Sequence, residues 1–420
     1  MNFEFSVEQK AIRELVAGFA AREIAPYAPQ WDKERRFPLD VFRKLGDLGM
    51  MGMTVTEAYG GADLDSVSVC LAIEELSRAD AGVGVTVSVH AGLITRIIES
   101  FASEAVKRHY LPRMCTGEWL GSFALTEAEA GTDASGLRTK AEDRGDHFLL
   151  NGVKQWATNG GFAKVVVVFA RTGGPGPSGI SAFLVDRDDP GFFVGRETEK
   201  LGIRSSNTVD IVLDNARIPR ERLLGAAGDG YKIALKSLGG GRLGIAAQAV
   251  GILAACLDTA RHYALDRYQF GRPIGAFQAV SFKIADMALD LDAARLLLYR
   301  AAWLRDRGDT SIDASSKAKL FASEAARRHA NECVQILGGY GYTAEFPAER
   351  YYRDSKITEI YEGTSEVQRM VIAREVLGRL DERTSTDRPK KRAPPSDGAP
   401  PAATLERSAL ADRDRLQPDS

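Results

Sequence analysis

The sequence predicts an α+β fold in three parts, a helical segment, a β segment and a second helical segment. Three observations carry the prediction. Apolar residues recur at a helical period over residues 1–120; from Phe123 they alternate, with Gly-rich turns between the runs; and near Tyr231 the helical period returns and persists to about Leu380. The parts are read as 1–120, 121–228 and 229–380. Residues 381–420 are rich in Pro, Ala, Asp, Arg and Ser, carry the basic run Lys390–Lys391–Arg392, and are expected to be a disordered tail.

The first helix is read over Ser6–Arg22, because Ser6 and Gln9 have capping-box spacing and Ile12, Leu15, Val16 and Phe19 share a face. Further helices are expected over Leu39–Leu48, Ser66–Arg78, His90–Phe101 and Glu104–Met114, broken by turns such as Tyr59–Gly60–Gly61. Turn signals at Asn151–Gly152 and through Gly173–Gly179 separate strands at Val165–Phe169, Ile180–Val185 and Val209–Leu213. Long helices close the chain over Tyr231–His262, Phe277–Arg305, Ser315–Leu337 and Ser365–Arg379. Gly239, Gly241 and Gly244 fit G-x-G-x-x-G, but they follow a helical pattern where a dinucleotide fingerprint needs a strand, so that motif is rejected.

At 420 residues, 27% charged and 44% hydrophobic, the chain has the composition of a soluble globular protein with an ample core. Its net charge of −2 argues against a nucleic-acid binder, which must neutralise phosphates. Cys70, Cys115, Cys256 and Cys333 lie far apart, without zinc or disulfide spacing, so no metal site and a reduced compartment are expected. MNFEFSVEQK is no basic, apolar leader, and no apolar run is read as approaching the roughly 20 residues of a membrane span. A cytoplasmic location without membrane contact is the expectation.

The candidate chemistry centres on IYEGTSEVQ, Ile360–Gln368. Glu362 lies on a connector just before a helix whose N-cap is read at Thr364–Ser365, and whose apolar side continues through Val367, Met370 and Val371. Gly363 lets a flat ligand approach the backbone while the helix N-terminus faces negative charge. A carboxylate so placed can remove a proton. A single acid on a connector is ordinarily solvated, so its company decides.

That company is FALTEAEAGTDASGL (123–137), QWATNG (155–160), YALDRYQFGRPI (263–274) and QILGGYGYT (335–343), followed by IYEGTSEVQ. In this order the segments resemble the acyl-CoA dehydrogenase family, especially its short-chain and branched short-chain members, whose signature IYEGTSEIQ differs only at Val367. The likeness runs from about residue 5 to about residue 380. It implies an N-terminal helical domain, a middle β domain and a C-terminal four-helix bundle. The implied reaction is α,β-desaturation of an acyl-CoA with FAD as hydride acceptor, electrons passing to electron transfer flavoprotein, in fatty acid metabolism and β-oxidation. A homotetramer, a dimer of dimers, is implied as well.

By the same resemblance Glu362 is the catalytic base, its backbone N–H helps hold the thioester carbonyl, and Gly363 lies along the substrate. Some members carry the base upstream, immediately before an Arg; the matching position here is Gly241, before Arg242, and holds no carboxylate. Arg242 and Thr132 match substrate-side positions. Thr126, Thr132, Trp156 and Thr158 match the surroundings of the isoalloxazine, and Phe123, Leu125 and Ala157 are implied as further cofactor-binding positions. Thr364, Ser365 and Glu366 are implied as cofactor-binding as well. Arg267 and Gln278, with Gln335, Ile336, Leu337, Gly338 and Gly339, match groups that reach FAD from a neighbouring subunit, and Phe270 is implied as a further cofactor-binding position. Taken singly, Trp156 would be ordinary core and Arg267 a surface salt bridge.

Two departures bear on the substrate. Gly239 stands where short-chain relatives often have an Asp, and Ala128–Glu129 stand where the family usually has Pro–Gly, adding a charge near the CoA opening. Acyl chain length stays open, as do an oxygen-using acyl-CoA oxidase and a catalytically silent flavin or acyl-CoA scaffold. The intact Glu362 and Arg267 argue against the scaffold.

Overall fold

The computed structural model describes residues 4–309 and 312–378; the expected tail lies outside the described residues. The leading helices are α1 (Val7–Glu23), α2 (Ala28–Glu34), α3 (Leu39–Asp47), α4 (Ser66–Ala79), α5 (Ala81–Val89), α6 (Thr95–Phe101) and α7 (Glu104–Cys115). Short polar side chains set where they begin. Ser6 N donates to Gln9 Oε1 at 3.0 Å and Gln9 N to Ser6 Oγ at 3.1 Å, which is the expected capping box. Asp65, Asp80 and Ser103 cap α4, α5 and α7 in the same way, each accepting from a backbone N–H in the first turn.

Helix α5 departs from the sequence reading, which began a helix only at His90. AGVGVTVSV is poor in helix formers, yet all its residues are buried, and packing overrides propensity when a helix is enclosed on every side. It continues through a wider turn at His90–Ile94, where Thr95 N reaches back to His90 O, into α6. His90 is buried there: its Nδ1 accepts from Gly121 N at 3.0 Å and its Nε2 donates to Met114 O at 3.1 Å. Burial pushes its imidazole down to about 4, so the ring is neutral at physiological pH.

The middle segment forms β1 (Leu120–Ala124), β2 (Lys140–Asp143), β3 (His147–Thr158), β4 (Ala163–Arg171), β5 (Ile180–Asp186), β6 (Phe192–Glu197), β7 (Thr208–Pro219) and β8 (Leu223–Leu224). They pair in the order β6-β7-β3-β2-β4-β5-β8, with β1 parallel to β4. β4 and β5 are nearly continuous apolar runs because both faces are covered: Val165, Val167 and Phe169 pack with helical residues, Val166 and Val168 with the sheet's own core.

The chain then enters α8 (Gly230–Asp266), passes the hairpin β9–β10 (Tyr268–Gln269, Arg272–Pro273), and continues through α9 (Gln278–Asp306), α10 (Ile312–Leu337), α11 (Ala348–Ser355) and α12 (Ser365–Leu377). Gly239, Gly241 and Gly244 lie inside α8, so the rejected fingerprint is a helix interior. One apolar core joins α1, α3 and α4 to α8, α9 and α10, and a second joins α5 to α7, the sheet and α8. By length and composition Ala81–Phe101 and Gly230–Asp266 are apolar enough to cross a membrane, which corrects the sequence reading. In the fold 89% and 83% of their apolar windows are buried in protein, so the apolarity serves the core. The four cysteines are free and buried. On α12 the expected apolar face is not a core face. Met370 is exposed, Val367 and Val371 are half-buried, and the buried positions are Ser365 and Gln368.

Candidate active site

The turn between the short helix Lys356–Glu359 and α12 takes the chain through two consecutive left-handed residues, Glu362 at φ 54° and Gly363 at φ 91°. Gly363 adopts that region freely; for Glu362 it costs roughly 1–2 kcal/mol. Hydrogen bonds hold the turn. Gly363 O accepts from Lys319 Nζ at 2.7 Å and Gln368 Nε2 at 2.9 Å, and Glu362 O accepts from Gln368 Nε2 at 3.3 Å. Val367 N donates to Thr364 Oγ1 at 3.3 Å, so Thr364 caps α12 as its sequence suggests. Tyr361 OH donates to Gln248 Oε1, and Gln248 Nε2 donates to Ala81 O at 2.8 Å, tying the turn to α8 and α5.

The result aims Glu362 at α8. Its carboxylate lies over Gly241, where an added Cβ would come within 3.0 Å of Cδ and closer still to Oε2. The missing side chain at Gly241 is therefore the space the acid occupies. The residue as a whole is half-buried, but Oε2 is shut off from solvent and has no hydrogen-bond partner among the described residues. Burial pushes the Glu362 carboxyl up to about 7, while Arg242 and Lys319 pull it down. An acid poised near neutrality with an open oxygen is what proton abstraction at physiological pH requires. Arg242 is buried with Nε and Nη1 unpartnered among the described residues, and burial lowers its pKa against the pull of Glu362. Orphaned buried donors beside an orphaned acceptor mark a site that a ligand completes.

The β segment supplies a platform. Gln155 N donates to Thr126 O at 2.8 Å and Ser122 Oγ to Thr158 O at 2.7 Å, so 122–126 and 155–158 run side by side. Asn159 Nδ2 reaches Thr86 O at 3.2 Å and Gly121 O at 3.3 Å, fixing the platform to α5. Trp156 is not core. It is 58% exposed and sits at φ 58°, a conformation that bulky residues avoid unless their surroundings impose it. Phe123, Thr126 and Thr158 are half-buried, Thr132 is exposed, and Leu125 and Ala157 are buried and offer only backbone. Glu127 is held below the usual carboxylate range by Lys154, by Thr139 and by the Arg138 amide, against its own burial. Glu129, the charge added at the departure from Pro–Gly, is neutralised by Arg138 at 2.6 Å.

The remaining expected residues form a second group. Arg267 is exposed, has no ion pair among the described residues, and places its guanidinium 5.9 Å from the Tyr340 ring, so the salt-bridge alternative is absent. Phe270 is 92% exposed at φ 51° on the β9–β10 hairpin, and Gln278, Gln335, Gly338 and Gly339 are exposed. Ile336 and Leu337 are core residues and could contribute only backbone. Arg242, on the acid's side, is inside α8 and Arg267 at its end, so at ~1.5 Å per residue these two residues are about 37 Å apart along the helix. Ser365 is buried with an unpartnered Oγ among the described residues, and Glu366 is exposed.

Sequence reading missed Lys319, Gln248 and Gln368. A signal existed for the first: Ser316, Lys319 and Ser323 recur at helical spacing in a run of small apolar residues, a polar stripe on a face that turns out buried.

Three family models match the chain, described as the acyl-CoA dehydrogenase N-terminal domain over residues 6–118, the middle domain over 122–216 and the C-terminal domain over 228–377. An acyl-CoA dehydrogenase of Bacillus subtilis is 49% identical over 372 residues, 88% of this chain and 98% of its own. Butyryl-CoA dehydrogenase from Megasphaera elsdenii superposes with a TM-score of 0.88 at 42% identity, covering 90% of this chain and all of the other, 100%. A chain from a structure of the electron transferring flavoprotein of Acidaminococcus fermentans gives 0.89 at 44% identity, with the same coverage of 90% and 100%.

Proposed function

The chain belongs to the acyl-CoA dehydrogenase family, and from that premise we propose that it desaturates a short or branched short-chain acyl-CoA to the trans-2-enoyl-CoA with FAD, passing electrons to an electron transfer flavoprotein. One observation carries the reading. A dry carboxylate, poised near neutrality, is aimed by a left-handed turn into the space left by Gly241.

The residues fit a flavin: Trp156 is exposed beside the half-buried hydroxyls of Thr126 and Thr158, and Ser365 holds a buried Oγ with no partner among the described residues. Bound FAD would supply the acceptor for the β-hydride and its two electrons. Glu362 takes the α-proton, and burial places its pKa where it is largely ionised above pH 7 yet still basic enough to act. Its backbone N–H supports the thioester carbonyl as negative charge develops there. Arg242 and Lys319 keep positive charge beside the acid, so moving a proton to Glu362 leaves a field that favours an enolate-like oxygen nearby. The short-chain preference draws on the resemblance to short-chain members and on butyryl-CoA dehydrogenase among the similar structures; the partner draws on the similar chain from an electron transferring flavoprotein structure.

The assembly proposed is a homotetramer. The resemblance has Arg267 and Gln278 reach FAD from a second protomer, and both side chains are exposed and open to one. On α9, Phe282, Leu289, Leu296 and Trp303 are 61%, 68%, 55% and 52% exposed at seven-residue intervals, an apolar stripe of the kind helices bury against each other. The test is anaerobic bleaching of the FAD-loaded protein by acyl-CoAs from butyryl to long-chain. Rapid bleaching by short chains supports the reading. No bleaching by any acyl-CoA overturns it, and rapid oxygen consumption by the reduced protein would make it an oxidase.

A further inference from the structure

The acid is aimed by a turn its own residue type disfavours, so the aim has to be held from outside. Gln368 grips both carbonyls of the turn, but it sits on α12 and moves with it. Lys319 is different. It comes from α10, which packs against α8, the helix whose bare Gly241 receives the carboxylate. Its ammonium therefore fixes the turn relative to the surface it faces.

Lys319 is wholly buried, and its one hydrogen bond among the described residues is to Gly363 O at 2.7 Å. A buried ammonium is expensive, and Gly363 O already has Gln368 as a donor at 2.9 Å. A methionine of similar volume would fill the same space without that cost. We propose that Lys319 is a positioning residue: its ammonium clamps the Gly363 carbonyl, keeps Glu362 in its left-handed conformation over Gly241, and joins Arg242 in favouring the ionised carboxylate. The proposal rests on Glu362 being the base.

The charges around the acid agree with two roles. Arg242 from α8 and Lys319 from α10 both lower the Glu362 pKa against burial, and the neighbouring Tyr361 phenol is pushed up, chiefly by burial, and stays neutral. Burial brings Lys319 down to about 8; Glu362 raises it, Arg242 lowers it, and Glu359 and Glu366 raise it further. Lys319 is thus cationic at neutral pH, and removing it leaves Glu362 more easily protonated.

The experiment compares wild type, Lys319→Met and Lys319→Arg as FAD-loaded full chains. It records anaerobic bleaching by butyryl-CoA from about pH 6 to 9, FAD content, and a crystal structure of each. For Lys319→Met we expect bleaching to slow roughly ten- to a hundredfold near pH 7, as for loss of one charge-assisted hydrogen bond. The acid limb should move to higher pH, FAD should be retained, and Glu362 should swing off Gly241. Lys319→Arg should return the limb toward wild type. A Lys319→Met enzyme with the wild-type limb and an unmoved turn overturns the proposal, as does a rate loss that only tracks lost FAD and lost folded protein. If Lys319→Met does not fold, Lys319→Gln, neutral but still a donor, carries the same limb test. The crystal structures judge the clamp even if the wild type desaturates nothing, so a failed clamp and a failed function are told apart.

Discussion

Replacing Glu362 by Gln should make the protein more stable, and only above the pH where the acid ionises. The folded chain holds this carboxyl at about 7 against an ordinary 4.5, so burial favours the protonated form by roughly 3–4 kcal/mol at ~1.4 kcal/mol per pH unit. A carboxyl raised in the folded state contributes fully below the unfolded value and loses that contribution as pH climbs to the folded one. The penalty therefore appears between pH 4.5 and about 7 and is constant above. At pH 4 the carboxyl is largely protonated in both folded and unfolded chains, the acid and the amide are neutral and alike in shape, and the two proteins should melt together. By pH 8 the Gln variant should be ahead by that amount. For residues 1–376, unfolding entropy of ~2.1 cal/mol/K per residue sets roughly 0.8 kcal/mol per degree, so the gap should be about 4 °C. Thermal melts of the FAD-loaded proteins at steps from pH 4 to 8.5 read it. A difference that stays flat across that range would show that the carboxylate is not in a dry setting and does not titrate near neutrality.

Three substitutions probe the rest of the site. Gly241→Ala puts a methyl into the space held by the carboxylate, so flavin reduction should fall at least tenfold while FAD content is kept; an unaffected rate would mean the acid works elsewhere. Arg267→Ala should weaken FAD retention without slowing reduction of the flavin that remains, checked by dialysis and absorbance. Leu296→Asp puts a charge into the exposed apolar stripe of α9 and should shift the assembly to smaller species by light scattering, and an unchanged mass would place the interface on another face.

How far the sequence could be read depended on whether a feature was local. The Ser6–Gln9 box and the strands around Val165 and Ile180 were legible because their causes lie within a few residues. Ala81–Val89 was not: its helix comes from being enclosed, which no glycine or valine announces. Glu362 was legible as an acid in a motif. Its left-handed backbone, its dry oxygen and its seat over Gly241 were not, since they depend on α8 and α10, brought to it by the fold. Gly241 itself was read only as a place lacking a base. Lys319 went unnoticed because a lysine in a helix ordinarily points to water. The separation of substrate-side Arg242 from Arg267 became measurable only once both were seen on one continuous helix.

The central claim is that the Glu362 carboxylate removes the substrate's α-proton. The most direct measurement is anaerobic mixing of FAD-loaded Glu362→Gln protein with butyryl-CoA, followed at the flavin absorbance beside wild type. The account predicts a yellow variant that binds the thioester and is reduced at least a thousandfold more slowly, a loss in the range expected for removing a positioned base. A variant that bleaches within tenfold of wild type would contradict it and move the base to another residue.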